Sequence, residues 1–303
     1  MENFTIKKLS EFGIPQAELI RYDEPHRFYH NREHIETMIA NARKRNILTD
    51  ELFLAIVFHD IIYNPKANNN EELSAELFCK YVDNDKVKKA ILDTKTHKPT
   101  NEISKQLCDL DLDILWSDSE TFIDFEHKIF KEYQWVDYKI YREKRLEILS
   151  DLGINPEWLN YVKNRKPSIA IYAGSFNPFH KGHYNILKKA EQIFDKVIIA
   201  RGINTEKKNE VIELPEKLQY RQIEIYNGLL TDFINELGYD VTVIRGLRNA
   251  TDLQYELTQY RFLQDLKPNI KVVSIFCDKE YEHISSSAIR QLKMFNKETN
   301  YLI

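Results

Sequence analysis

Residues 172–183 read YAGSFNPFHKGH. They close an apolar run, SIAIYAG (168–174), and lead into HYNILKKAEQIF (183–194), where apolar residues recur every three to four positions. The first pattern predicts a buried strand and the second an amphipathic helix. In open parallel sheets, anions bind at such strand-to-helix turns, because the first amides of the helix have no backbone partner. Gly174 and Gly182 let the backbone approach a phosphate, and His180 and His183 stand three apart on the first turn, where both can face it. No GxGxxG follows the strand, so nicotinamide redox chemistry is not expected.

Outward from this turn the pattern alternates. KVIIARG (196–202), DVTVIRG (240–246) and IKVVSIFCD (270–278) read as further strands. LPEKLQYRQIEIYNGLLTDFINELG (214–238), TDLQYELTQYRFLQDL (251–266) and SSAIRQLKMF (286–295) read as helices. Strands separated by helices predict a parallel sheet covered on both faces. Upstream the pattern is helical throughout, in HIETMIANA (34–42), ELFLAIVFHDIIY (51–63), AELFCKYV (75–82) and FIDFEHKIFKEYQWV (122–136). The charged break KNRKP (163–167) ends in a proline that disfavours helix. The expected architecture is multidomain: an all-α domain over residues 1–163, then an open α/β, Rossmann-like domain over 167–303.

Bulk properties agree with two domains, since 303 residues at about 150 per domain give two cores. The net charge of −4, with no long basic run, predicts neither a nucleic-acid partner nor a membrane partner. No apolar stretch reaches the roughly 20 residues that span a bilayer, and the N-terminus lacks a signal-peptide core, so a cytoplasmic location is expected. Cys79, Cys108 and Cys277 are scattered, without CxxC spacing, and are expected to be reduced thiols.

Three motifs carry a resemblance: GSFNPFHKGH (174–183), VIRGLRNATDLQYE (243–256) and ISSSAIR (284–290). Together they resemble the nucleotidyltransferase superfamily with the HxGH motif, and within it the phosphopantetheine adenylyltransferases. The resemblance implies in-line attack of an acceptor phosphate on the α-phosphorus of ATP, assisted by Mg2+, with pyrophosphate leaving. Catalysis is then mostly positioning and charge neutralisation. It implies that His180 and His183 hold the triphosphate and that Ser175 orients the attacking phosphate. Lys207, or its neighbour Lys208, would reach across the transition state, while Arg245 and Arg248 grip phosphates. Gly174, Phe176, Gly182, Glu256, Ser285, Ser286, Ser287 and Arg290 complete the nucleotide site, and a homo-oligomer is implied as well. Two departures bear on the acceptor: His180 stands where that family commonly has a hydroxyl, and the stretch 202–220 is longer than usual. A full HxGH also resembles nicotinamide mononucleotide adenylyltransferases and alcohol-phosphate cytidylyltransferases. A non-catalytic nucleotide sensor is a further alternative, although sensors commonly lose one of the three motifs.

The all-α half poses a separate question. His59 and Asp60 interrupt an otherwise apolar helix pattern, and burying an imidazole beside a carboxylate is costly unless both are paired or bind a metal. Further donors stand in RFYHNREHIETMI (His30, His34) and CDLDLDIL (Asp109, Asp111, Asp113). The order His, then His-Asp, then Asp resembles the HD superfamily of metal-dependent phosphohydrolases over roughly residues 22–116. That resemblance implies His34, His59, Asp60 and Asp111 as ligands. A mixed imidazole and carboxylate set suits Mn2+, Fe2+ or Mg2+. His97, Glu71 and Glu72 are candidates for a surrounding role, and His26, His127 and His283 are assigned none. The whole chain therefore reads as a bifunctional enzyme, an adenylyltransferase joined to a phosphohydrolase, acting on nucleotides and phosphorylated small molecules.

Overall fold

A computed structural model describes residues 2–203 and 213–303. The chain divides into two compact units: one comprises the chain up to Glu132 together with Arg145–Lys163, the other Tyr133–Lys144 together with Asn164–Ile303.

The first unit is helical. Its helices are α1 (Glu2–Glu11), α2 (Arg32–Lys44), α3 (Asp50–Phe58), α4 (Asn70–Cys79), α5 (Asp85–Asp93), α6 (Glu102–Asp111) and α7 (Ser119–Glu132), followed by the later part of α8 (Tyr138–Asp151) and by α9 (Pro156–Asn164). α3 is the centre of the core. Every residue from Leu52 to Phe58 is buried, so it is apolar all round, as a helix enclosed by neighbours must be. Thr49 caps α3 by accepting a hydrogen bond from the Leu52 amide. The apolar pattern continues through His59, but the helix ends at Phe58, and His59 and Asp60 occupy the turn that follows. α6 starts with a reciprocal cap, in which Asn101 and Ser104 each accept the other's amide, and ends at Asp111.

The second unit contains a five-stranded sheet of β1 (Ile169–Gly174), β2 (Lys196–Ile203), β3 (Ile223–Asn227), β4 (Thr242–Leu247) and β5 (Lys271–Phe276). The order is β3-β2-β1-β4-β5, and every pairing is parallel. The connecting helices are α10 (Lys181–Ile193), α11 (Leu230–Leu237) and α12 (Ala250–Leu266), and α13 (Ser286–Lys293) follows β5. β1 is central and buried along its length up to Gly174. From it the chain winds outward to β2 and β3, then returns to place β4 on its other side. Residues 214–238, read above as one helix, hold β3 as well as α11. Ile223, Tyr226 and Leu230 satisfy a helical spacing, but Ile223 and Ile225 also alternate as a strand requires, and Gly228 at φ 89° breaks the chain between the two elements.

Residues 133–144, placed with the first domain by the sequence reading, pack with the second unit. Lys196, at the start of β2 and 1% exposed, is one reason. Its ammonium donates to the carbonyls of Val136 (2.9 Å) and Gln134, and the Gln222 amide donates to the same Gln134 carbonyl at 3.0 Å. Tyr239 donates to Asp137 at 2.8 Å. Burial pushes Lys196 down to about 7, with Asp137 and Glu224 pulling the other way. The unfolded lysine titrates near 10.5. Between about pH 7 and pH 10 the unfolded chain therefore binds more protons than the folded one, and stability rises with pH. Urea unfolding should show the stability of the parent relative to Lys196→Met growing across that window, by at most about 1.4 kcal/mol per pH unit. A gap that stays constant would mean that Lys196 keeps its proton in the fold.

Candidate functional site

β1 and β4 are neighbours whose following helices lead to opposite sides of the sheet. The crevice beyond their carboxyl ends is the switch point at which such sheets bind ligands. The loop after β1 is shaped for it. Phe176 takes a positive φ of 45° and turns its ring inward, where it is 2% exposed. A side chain at Gly174 would meet that ring at 2.9 Å. His180 caps α10, its Nδ1 accepting from the His183 amide at 3.3 Å. That bond assigns the proton of a neutral imidazole to Nε2. The rings of His180 and His183 stack with centroids 3.6 Å apart, and His183 meets Phe176 edge-on at 5.1 Å. Gly182 makes room for the stack, since a Cβ there would sit 3.1 Å from the His180 ring.

Both imidazoles are neutral at ordinary pH. Burial, then the charge of Arg248, pushes His180 down to about 4. Burial, then His180 and Arg248, holds His183 well below the usual histidine range. The Nδ1 atom of His183 is buried with no hydrogen-bond partner among the described residues. The two rings border a cavity of about 370 Å³ that also takes in Gly182, Arg248, Glu256, Ser285 and Ser286. Arg248 is held in place by a two-point contact to Asp252, at 2.8 and 2.9 Å. Arg245 Nε lies 3.2 Å from Glu256 Oε2.

α13 braces the loop. Ser285 caps it, accepting from the Ala288 amide at 3.2 Å, and Ser287 lies 3.2 Å from Ser285. Ser286 donates to the Pro178 carbonyl at 3.0 Å, and Arg290 to the Asn177 carbonyl at 2.5 Å. Ser286 and Arg290 thus hold the turn that positions the imidazoles. Ser175 is exposed at the loop, whereas Phe176 is a wall beneath His183. Lys207 and Lys208 lie outside the described residues. Asp252 received no role in the sequence reading, although its position four residues after Arg248 on a helix start is the signal for such a pair.

In the first unit, His34 of α2, His59 and Asp60 after α3, and Asp111 at the end of α6 converge. His34 Nε2 is 3.3 Å from His59 Nε2 and 3.1 Å from Asp111 Oδ1. Asp60 Oδ2 is 3.0 Å from His59 Nε2 and 3.9 Å from His34 Nε2. His59 Nδ1 donates to the Ile56 carbonyl at 2.8 Å, which leaves Nε2 as the donor atom aimed at the cluster. The donor atoms of His34, His59 and Asp60 all lie within 4.8 Å of one another, a group able to hold a cation, and Asp111 Oδ1 borders it, 3.1 Å from His34 Nε2 and 3.8 Å from His59 Nε2. The electrostatics fit too. Burial alone would lower His59, yet Asp60 and Asp111 raise it well above the usual histidine range, so the cluster attracts positive charge.

Residues around the cluster fix its shape. His97, whose φ of 50° is left-handed, places Nε2 3.0 Å from Asp111 Oδ2. Glu72 pairs with Lys95 at 2.5 Å, and burial, foremost, raises the half-buried Glu71 carboxyl. His30 precedes α2 rather than lying on it, and contacts Glu132 at 2.6 Å. Glu132 also accepts from the amides of Phe28, Tyr29 and His30 and from the Tyr63 hydroxyl. Glu132 was missed in the sequence because it reaches His30 from 102 residues away, without a local pattern to mark it.

Comparison with known proteins bears on the second unit. The cytidylyltransferase-like family matches residues 171–292. The chain is similar to the phosphopantetheine adenylyltransferase of Clostridium botulinum (strain Hall), 36% identical over 135 residues, which are 42% of this chain and 82% of that one. It is also similar to the phosphopantetheine adenylyltransferase of Clostridium perfringens (strain ATCC 13124), 39% identical over 139 residues, 43% of this chain and 84% of that one. Stacked imidazoles at a helix start, braced by a serine-rich turn, share one cavity with Arg248, and through this C-terminal part the chain belongs to the phosphopantetheine adenylyltransferase family.

Proposed function

We propose that the C-terminal domain transfers the adenylyl group of ATP to 4'-phosphopantetheine, giving dephospho-coenzyme A and pyrophosphate. An oxygen of the acceptor phosphate attacks the α-phosphorus in line as the bond to the bridging oxygen of pyrophosphate breaks. The observation that carries this reading is the pair of neutral, stacked imidazoles at the N-terminus of α10, facing Arg248 across the crevice. His180 and His183 present N–H groups to oxygens that gain charge in the transition state, and Arg248 supplies positive charge, the role also proposed for Arg245. Mg2+, when bound with ATP, neutralises the phosphates further. His180 also accounts for its own departure from the family pattern. Its Nδ1 accepts the His183 amide, which is what a capping hydroxyl would do, so the residue supports an unchanged turn rather than another acceptor. Nicotinamide mononucleotide and alcohol phosphates with CTP are the alternative substrates.

For the N-terminal domain the proposal is a metal-dependent phosphohydrolase of the HD type, with Mn2+, Fe2+ or Mg2+ held by His34, His59, Asp60 and Asp111. The ion would lower the pKa of a bound water and orient a phosphate. Its substrate would be a phosphate ester related to the chemistry of the C-terminal domain. The enzyme is proposed to be cytoplasmic, and no helix among the described residues is long and apolar enough to cross a membrane. A homo-oligomer is proposed too, supported by the exposed Tyr255, Leu257, Phe262 and Leu266 on α12.

Purified full-length chain with Mg2+ should release pyrophosphate from ATP plus 4'-phosphopantetheine, and not from ATP plus nicotinamide mononucleotide or CTP plus an alcohol phosphate. Release with either of the latter pairs would reassign the acceptor. His183→Ala should lower kcat about 100- to 1,000-fold with a smaller change in ATP affinity. If the domain is a sensor, ATP binds and there is no turnover to lose.

Elemental analysis of the chain loaded with Mn2+ should find about one ion per chain, and Asp60→Ala should lose it while pyrophosphate release is unchanged. At a free metal concentration of about 100 Kd the ion should add about 2.7 kcal/mol to the stability of the N-terminal domain, so chelation should lower its melting temperature. Unchanged metal content in Asp60→Ala would refute the assignment of the ligands.

A further inference from the structure

A cavity of about 300 Å³ adjoins the metal-binding cluster of the N-terminal domain. His34 lines it, and so does Tyr29, whose ring packs against that of His34 with centroids 4.7 Å apart. His34 lines it while His59, Asp60 and Asp111 do not, so it offers room beside the cluster for the organic part of a phosphate ester.

Its lining is selective. Tyr29, Met38 and Phe125 give it an apolar wall, and Thr37 and Asn41 add uncharged hydrogen-bonding groups. Three carboxylates, Glu33, Asp113 and Asp124, face it against a single cation, Lys128. That ammonium is committed already, lying 2.9 Å from Asp124 and 3.3 Å from Glu33. Asp113 is paired from outside the cavity by Arg45. A second phosphate placed here meets carboxylates and no uncommitted cation among the described residues. Carboxylates repel a second phosphate brought beside them, whereas amides and hydroxyls meet partners of their own kind.

We infer that the N-terminal site acts on phosphate monoesters whose organic part carries no further anionic group, and that this part lies in the cavity beside Tyr29. The inference rests on the phosphohydrolase reading and narrows it. Water oxygen bonds to phosphorus as the P–O bond to the alcohol breaks, the alcohol leaves carrying one proton, and inorganic phosphate remains. Of the proposed substrates and products of the C-terminal domain, one belongs to this class. Beyond its phosphate, 4'-phosphopantetheine carries amides, hydroxyl and a thiol, all uncharged. ATP and pyrophosphate are polyanions, and dephospho-coenzyme A carries a diphosphate with no terminal monoester. The N-terminal site would then remove the phosphate that the C-terminal site needs as its nucleophile.

The test offers 4'-phosphopantetheine, ATP, pyrophosphate and dephospho-coenzyme A singly to the Mn2+-loaded full chain, its metal content verified, and measures inorganic phosphate. The expected result is a kcat/KM for 4'-phosphopantetheine at least about 100-fold above the other three. Two variants probe the cavity itself. Thr37→Phe should raise KM for 4'-phosphopantetheine about tenfold and leave methyl phosphate unaffected. Asp124→Lys, at an exposed position that tolerates the change, should narrow the preference over ATP by about tenfold. Equal or faster hydrolysis of ATP or pyrophosphate overturns the inference and leaves the phosphohydrolase standing. No phosphate from any ester, methyl phosphate included, with metal bound in full overturns both.

Discussion

The pairing of β1 with β2 on one side and β4 on the other is the constraint from which the C-terminal half follows. Ala170, Ile171, Ile198, Ile199, Val243 and Ile244 are fully buried along those three strands, so a slip of register would have to repack both faces of the sheet. Once β1 is central, its carboxyl end and that of β4 must open into one crevice. The turn after β1 then delivers two imidazoles to the start of α10, and the turn after β4 delivers Arg248 opposite them. The imidazoles and Arg248 need no further long-range assembly beyond the bracing of the turn by Ser286 and Arg290.

Burial gives the site its chemistry. Imidazoles left in water would be partly charged near neutral pH; enclosed here, beside a guanidinium, both are neutral hydrogen-bond donors. The unpartnered Nδ1 of His183 is a cost carried in the resting fold, of the kind found where a ligand completes the hydrogen bonding. The N-terminal cluster follows the opposite logic. There the carboxylates outweigh burial, and the excess of negative potential draws in positive charge. One chain thus holds two clusters of opposite character, one of neutral imidazoles beside a guanidinium and one of imidazoles among carboxylates.

How much of this was legible depended on distance along the chain. The HxGH turn was readable because strand, turn and helix start fall within twelve residues, and each leaves a local pattern. His59 and Asp60 were readable because two polar residues in an apolar run demand partners, and the family resemblance supplied His34 and Asp111. Glu132 was not, since its partners are set by tertiary packing alone. β3 was hidden because its apolar spacing serves a helix as well as a strand. The attachment of residues 133–144 to the sheet depends on the buried amine of Lys196, which in sequence is one lysine among many.

The most direct test of the central claim follows the label from ATP carrying 32P at the α position, with the full-length chain, Mg2+ and 4'-phosphopantetheine. Adenylyl transfer places the label in the organic product, and γ-labelled ATP in a parallel reaction leaves its label in pyrophosphate. Label from the γ position appearing in the organic product, or no transfer from either position, would contradict the account.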